Sequence, residues 1–286
     1  MMRPNRLLVA TFLAVFGVAT SPAQTLGQTF ENLTGTCAIA VATSSDQFEV
    51  RLERGSCHHN PDGSIDRSDR DTRTETNSCH TTEMQQPLDS FSGFIQSDLG
   101  RDGAHVDAVL TAEAGTLTCS GTIHNFKLSG NLNFTPNAAF AAHMLKLGIQ
   151  GITSQNLETY TLFRVQAANI EALQKAGVTD IDAKNLASLS IFHVDTAFVE
   201  SIRALGYPTP PAKKLVELKI HKVNPEEVRQ IRAMGYTPTL DELIKMRIFK
   251  VTPDFIRSMQ SRGFGSSPQD LTIARLVKIR IFKLAE

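Results

Sequence analysis

Two hydrophobic periodicities divide the chain. In its first half, apolar and polar residues alternate along Phe48-Glu-Val-Arg-Leu-Glu-Arg, His105-Val-Asp-Ala-Val-Leu-Thr, Thr116-Leu-Thr-Cys-Ser-Gly-Thr-Ile and Phe126-Lys-Leu-Ser-Gly-Asn-Leu-Asn-Phe. A period of two predicts strands with one face on a core and the other wet. Ala114-Gly115 and His124-Asn125 separate these runs as turns, so the spacing predicts an antiparallel meander, with another strand over Cys37 to Thr43. Between Cys57 and Cys79 the chain is dominated by Asp, Ser, Arg, Asn and Thr, which reads as a surface loop.

The second half repeats itself. Gly148, Gly177, Gly206, Gly235 and Gly263 are 29, 29, 29 and 28 residues apart, and an apolar residue follows each: Ile149, Val178, Tyr207, Tyr236 and Phe264. Val165, Val194, Val223 and Val251 recur at 29, 29 and 28. Each Val opens a helix: Asn224 and Thr252 stand as caps before a proline in the first turn, and Glu227 is placed to complete a capping box. Leu173 with Ala176, Ile202 with Leu205, and Ile231 with Met234 share a helical face. Each Gly then fits the left-handed residue just past the helix end.

A second element fills each repeat. Leu243, Ile244, Met246 and Ile248, like Leu271, Leu276, Ile279 and Ile281, fit a helix or a strand. The capping signatures Thr239-Leu-Asp-Glu242 and Ser267-Pro-Gln-Asp270 select helix. Such a helix pair cannot bury its apolar stripe alone, so neighbours must stack. The pattern predicts four full repeats after a half-repeat, Pro136 to Leu147, and an irregular last one with 33 residues from Ile248 to Ile281. The expected fold class is α+β: a disulfide-bonded antiparallel β domain over 24–134 and a short α-solenoid over 135–286.

The amino terminus sets the compartment. Arg3 and Arg6 precede an apolar run, Leu7 to Thr20, and Ser21-Pro22-Ala23 offers small residues, so 1–23 reads as a secretory signal peptide. The expected localisation is periplasmic or secreted, with no membrane span after cleavage. In an oxidising compartment the four cysteines pair, and Cys57–Cys79 with Cys37–Cys119 is the expected connectivity.

The net charge of zero conceals an asymmetry. Residues 24–134 carry 7 Lys/Arg against 15 Asp/Glu, and residues 135–286 carry 20 against 14. That split fits two domains. Because both signs are interspersed along each helix, the excess of six in the second half reads as a solvated face. No Trp and no basic run argue against nucleic acid as a partner.

Candidate chemistry is thin. Cys57-His58-His59 with Cys79-His80 offers thiolates and imidazoles to zinc, but the spacing matches no zinc-finger pattern. Asp62, Ser64, Asp66, Ser68, Asp69 and Asp71 offer oxygens to calcium in an order that is not that of a calcium loop. There is no Gly-x-Ser-x-Gly elbow and no phosphate loop; His124 and His143 enter a site only if the fold brings them together. No catalytic residue, metal ligand or cofactor is therefore assigned. Asn32 and Asn133 fit the glycosylation sequon. Tyr207, Tyr236 and Phe264 either pack over helix ends or form an aromatic ladder in a peptide groove.

Val251-Thr-Pro-Asp-Phe-Ile-Arg-Ser-Met-Gln-Ser-Arg-Gly-Phe and Leu240-Asp-Glu-Leu-Ile-Lys-Met-Arg-Ile-Phe-Lys-Val resemble repeats appended to bacterial membrane metallopeptidases of the beta-lactam-sensor type. Similar repeats occur in secreted bacterial proteins, some with a preceding strand segment similar to Gly115-Thr-Leu-Thr-Cys-Ser-Gly and Phe134-Thr-Pro-Asn-Ala-Ala-Phe. The resemblance covers Ala114 to Glu286 and transfers no catalytic residue, because the His-Glu-x-x-His helix of those peptidases is absent from this sequence. It implies a bacterial envelope protein with interaction repeats. The expected function is a non-enzymatic scaffold that presents its repeats to a protein or peptide in the envelope. A metal-dependent hydrolase using the Cys/His loop, and a regulatory module for an envelope peptidase, are the alternatives.

Overall fold

The computed structural model describes residues 29–43, 46–55, 57 and 79–284. Residues 1–23, expected as a signal peptide, His58, His59 and the acidic residues from Asp62 to Asp71 lie outside them. Six strands make one antiparallel sheet: β1 (Leu33–Val41), β2 (Gln47–Arg54), β3 (His80–Pro87), β4 (His105–Ala112), β5 (Gly115–His124) and β6 (Lys127–Pro136). Their order is β3-β2-β1-β6-β5-β4, so two three-stranded meanders are joined by the pairing of β1 with β6. β3 has no alternation to announce it: its only buried residue is Gln86, and it is a strand because it pairs along the whole of β2, from Gln47↔Pro87 to Arg54↔His80.

Both expected disulfides form, Cys37–Cys119 and Cys57–Cys79. The first measures how far the sheet curls. Cys37 lies on β1 and Cys119 on β5, with β6 between them, yet their Cα atoms are 5.8 Å apart. Across two spacings of a flat sheet they would be about 9.5 Å apart. The curl is centred on Gly130 of β6, opposite Cys37 on one side and Gly121 on the other. A Cβ on Gly130 would stand 2.1 Å from the Ser120 carbonyl oxygen and 2.5 Å from the Gly121 Cα, so only glycine admits this approach. Closing loops of 22 and 82 residues stabilises the fold by about 3 and about 4.5 kcal/mol on the chain-entropy account.

Ten helices follow: α1 (Ala138–Lys146), α2 (Ser154–Leu162), α3 (Ala167–Lys175), α4 (Leu186–Ile191), α5 (Thr196–Arg203), α6 (Ala212–Ile220), α7 (Pro225–Ala233), α8 (Leu240–Ile248), α9 (Pro253–Ser261) and α10 (Ile273–Phe282). They form five pairs. The first pair is complete, not half, because α2 is capped by a box between Thr153 and Asn156 that its polar sequence conceals. The second element of every repeat is a helix. Odd helices stack on odd helices, as α1 on α3 and α3 on α5; even helices stack on even ones from α2 to α10.

The caps explain the period. Gly148, Gly177, Gly206, Gly235 and Gly263 all have φ between 79° and 87° and close the odd helices. The even helices close differently. Arg164, His193, Lys222, Lys250 and Lys283 occupy the left-handed position with φ of 48–53°, and the next amide turns back, as Val194 N–H does onto the Leu189 carbonyl at 2.9 Å. A non-glycine residue there costs about 1–2 kcal/mol, of which a cation at a helix carboxyl end recovers about 0.3–1 kcal/mol.

Two cap expectations are corrected. Asn224 accepts from the Glu226 amide, while Glu227 pairs with Arg247 of α8 at 2.8 Å instead of closing a box. Ser267 and Asp270 make a turn in the long last repeat, and Thr272 caps α10. The extra residues therefore lie before the helix.

Sheet and repeats share one core. Ile39, Phe48, Leu117, Leu132 and Phe134 of the sheet are continuous with Met144, Leu157, Tyr160, Leu189 and Leu215 of the helices. α2 packs on β4, β5 and β6, and its buried Glu158 receives a two-pronged ion pair from Arg54 of β2. Gln86 of β3 donates to the Leu162 carbonyl at 2.9 Å, and Glu113 of the β4–β5 turn accepts from the Ala167 amide at 2.9 Å. A second cluster begins at Ile202. The change of secondary structure at 134/135 is therefore no break in the core; the break falls in the third repeat.

Candidate functional site

The expected chemistry disperses. Cys57 and Cys79 are bonded to each other, which removes the thiolates a zinc site in that loop would need. His80 is exposed at the start of β3. Among the described residues no three His, Cys, Asp or Glu side chains converge as metal ligands. His124 faces Asp102 at 3.6 Å on the surface, and His143 bonds Glu171 at 2.7 Å as a tie from α1 to α3. That bond, then Lys175, holds the Glu171 carboxyl below the usual carboxylate range. Asn32 and Asn133 are exposed at the edge of the core.

One constellation escaped the sequence reading. On β4 and β5, Ser120 Oγ lies 3.3 Å from His105 Nε2 and 2.5 Å from Asp107 Oδ1. The residue types are those of a nucleophilic triad, but the roles are not. In a triad the carboxylate holds the far ring nitrogen; here Asp107 takes the serine hydrogen bond and faces Nε2 itself at 3.7 Å. His105 and Asp107 are 67% and 60% exposed among the described residues, on a sheet face open to water. The cluster is a surface hydrogen-bond set.

A concave feature lies where the sheet meets the repeats. A groove of about 580 Å³ is bounded by Gln85 to Pro87 on the edge strand β3, by the end of α2 at Arg164, and by the end of α4 at Ile191 and His193. Asn169 and Asp195 line it on the α3 and α5 side. Asn169 Nδ2 donates to the Val194 carbonyl at 3.1 Å, and Arg164 reaches the Ser90 carbonyl at 3.4 Å, so the walls are braced. The sequence held a signal for this: the residue before each repeat Val is Arg164, His193, Lys222 or Lys250, a basic column beside the valine column.

The repeats are spaced by polar ties. Ser190 donates to the Phe163 carbonyl at 2.6 Å, Arg247 to His221 at 3.3 Å and Arg280 to Lys250 at 3.1 Å, each reaching from the last turn of one even helix to the end of the preceding one. The same column also clamps the last three pairs internally. Lys219 stands 4.4 Å over the Phe198 ring and Arg280 3.8 Å over Phe255; at the equivalent place Arg247 meets Glu227. A cation–π contact and an ion pair thus serve one position.

Tyr207, Tyr236 and Phe264 are packing residues, not a ladder. Tyr236 is 3% exposed, with its hydroxyl donating to the Leu271 carbonyl at 2.8 Å, and burial raises its pKa. Tyr207 is half-buried beneath Arg232, at 4.6 Å, and donates to Pro238 of the next repeat. Phe264 is half-buried under Arg262 at 5.9 Å. Each ring after a glycine thus serves as repeat packing.

No family model matches the chain, and no curated protein or solved structure does either.

Proposed function

We propose that this chain is an exported, non-enzymatic interaction protein whose helical repeats receive a protein or peptide in the cell envelope. The observation that carries this reading is the braced groove at the junction of β3 with the first two repeats. An edge strand and a stack of helix ends are both surfaces that extended segments use. The two disulfides and the apolar segment Leu7 to Thr20 support an oxidising, extracytoplasmic setting, and no described helix is long and apolar enough to cross a membrane. The resemblance of Val251 to Phe264 to envelope repeats points the same way.

The test is capture from an envelope fraction by the mature chain and by Asn169→Arg, which puts a long charged side chain into the groove lining. The proposal expects a defined partner retained by the parent chain and lost with N169R, with both proteins equally helical by circular dichroism. Retention by both, or by neither across several salt conditions, contradicts it.

A further inference from the structure

In the even helices one apolar position stays out of the core. Leu162 of α2 is buried at 3% under the sheet, but its equivalents Ile191, Ile220, Ile248 and Ile281 are 39%, 44%, 50% and 49% exposed. Equivalent positions in stacked repeats lie in file, so these four side chains make a strip along one side of the solenoid. Two residues further on in each repeat comes the basic residue in the left-handed conformation: His193, Lys222, Lys250 and Lys283. All four are exposed, at the same ends of the same helices.

Three observations say what covers the strip. The first is charge. The neighbouring carboxylates are occupied elsewhere: Asp195 caps α5, Glu226 pairs with Arg229, Glu227 with Arg247 and Asp254 with Arg257. Among the described residues His193, Lys222 and Lys250 have no ion-pair partner. The second is conformational. The same repeat places Gly in the equivalent left-handed position of every odd helix, yet all five even helices carry Arg, His or Lys there. The helix carboxyl end recovers only part of the conformational cost of a side chain there, which leaves a further role open to the basic side chains. The third is shape. The strip is flanked by half-buried Phe192, His221 and Phe249 and widens only at its last rung, where Phe282 and Leu284 are 65% and 62% exposed, so along most of its length it offers a line for a chain. It is also continuous with the groove, since Ile191 and His193 belong to both.

We infer that the strip formed by Ile191, Ile220, Ile248 and Ile281 with the basic residues beside it binds an extended acidic segment presenting one apolar and one carboxylate side chain every third residue. Stacked helices are about 8–10 Å apart, and one three-residue turn of an extended polyproline II segment spans about 9 Å and returns every third side chain to the same face. The ties from Ser190, Arg247 and Arg280 hold the rungs at that spacing before the ligand arrives. The inference rests on the interaction reading above and names its surface and ligand chemistry.

The probe is a fluorescent fifteen-residue peptide, (Leu-Glu-Ser)5, titrated into the mature protein and followed by anisotropy. (Leu-Lys-Ser)5 and phosphatidylglycerol vesicles are the comparison ligands. Two double variants are made: I220S/I248S, which removes exposed apolar groups, and K222G/K250G. The expected result is saturable binding of the acidic peptide that weakens at least tenfold in both variants and on raising the salt. K222G/K250G at the same time melts at a higher temperature than the parent, because glycine relieves the left-handed residues. A side chain kept only for the helix end would not separate the two readouts. Failure of the acidic peptide to bind, binding equal to that of the lysine peptide, or affinity unchanged in the variants overturns the inference. Vesicle binding in place of peptide binding overturns it in favour of a membrane. If an envelope partner is still captured by I220S/I248S, the strip is wrong while the interaction reading stands; if nothing is captured by any form, both fall.

Discussion

At the scale of single residues, backbone demands decide the fold. Gly130 and Gly121 face each other where the sheet curls, and a Cβ on either would meet a carbonyl oxygen at 2.1 Å. Gly130→Ala is expected to cost about 3 kcal/mol, at the upper end of overpacking because backbone rather than side chain must move. Urea unfolding of the oxidised protein checks this; a midpoint within error of the parent's would show that β6 can relax. These glycines were not legible in the sequence, since their demand comes from strands that only the fold brings close. The repeat glycines were legible because one local requirement, a left-handed residue after a helix, recurs at a fixed spacing. Lys222 and its equivalents meet the same requirement with a costlier residue, and a search for glycine alone passes over them.

At the scale of elements, capping and alternation found most of the structure and failed in identifiable places. β3 contains little to bury, so nothing in its own residues distinguishes it from a loop; its ladder with β2 makes it a strand. α2 reads as polar, yet Glu158 and Thr161 are buried, and only Arg54 across the sheet makes Glu158 acceptable there. Arg54→Met is expected to destabilise the protein by about 3 kcal/mol, because it leaves that carboxylate buried alone. The double replacement R54M/E158L should recover much of the loss, and thermal melts of the two variants show whether it does. The ties between repeats give a pH signature. Asp241 is held below the ordinary 3.8 by its hydrogen bond from Lys214, and Glu171 below 4.5 by His143. A folded value below the unfolded one adds stability above the unfolded value and loses it as pH falls through the folded value. Lys214 is raised above 10.5 by Asp241 and Glu217, so its share is present below that pH and fades as pH climbs past the folded value. Melting temperature should therefore fall on acidification below about pH 4.5, and E171Q with D241N should make that limb shallower. An unchanged limb would show that these ties add nothing.

At the scale of the molecule, the sequence divides where the structure does not. Periodicity and charge both change near residue 135, and secondary structure follows them. The apolar core runs through that point, from Phe48 and Leu117 to Leu157, Leu189 and Leu215, and gives way to a second cluster only at Ile202. Chain patterns report which residues are buried, and they are silent on what buries them; α2 could not be read as lying on a sheet. Hydrogen exchange of the intact, oxidised protein, resolved to single amides, measures the central claim of a stack founded on the sheet. The amides of Val165, Val194, Val223 and Val251 bond carbonyls five residues back at 2.8–2.9 Å, so the account predicts protection at each of these positions. It also predicts that Val165 and Val194 exchange with the sheet strands as one unit, while Val251 opens sooner. Unprotected valines, or sheet and first repeats exchanging independently with a boundary at 134/135, would contradict it.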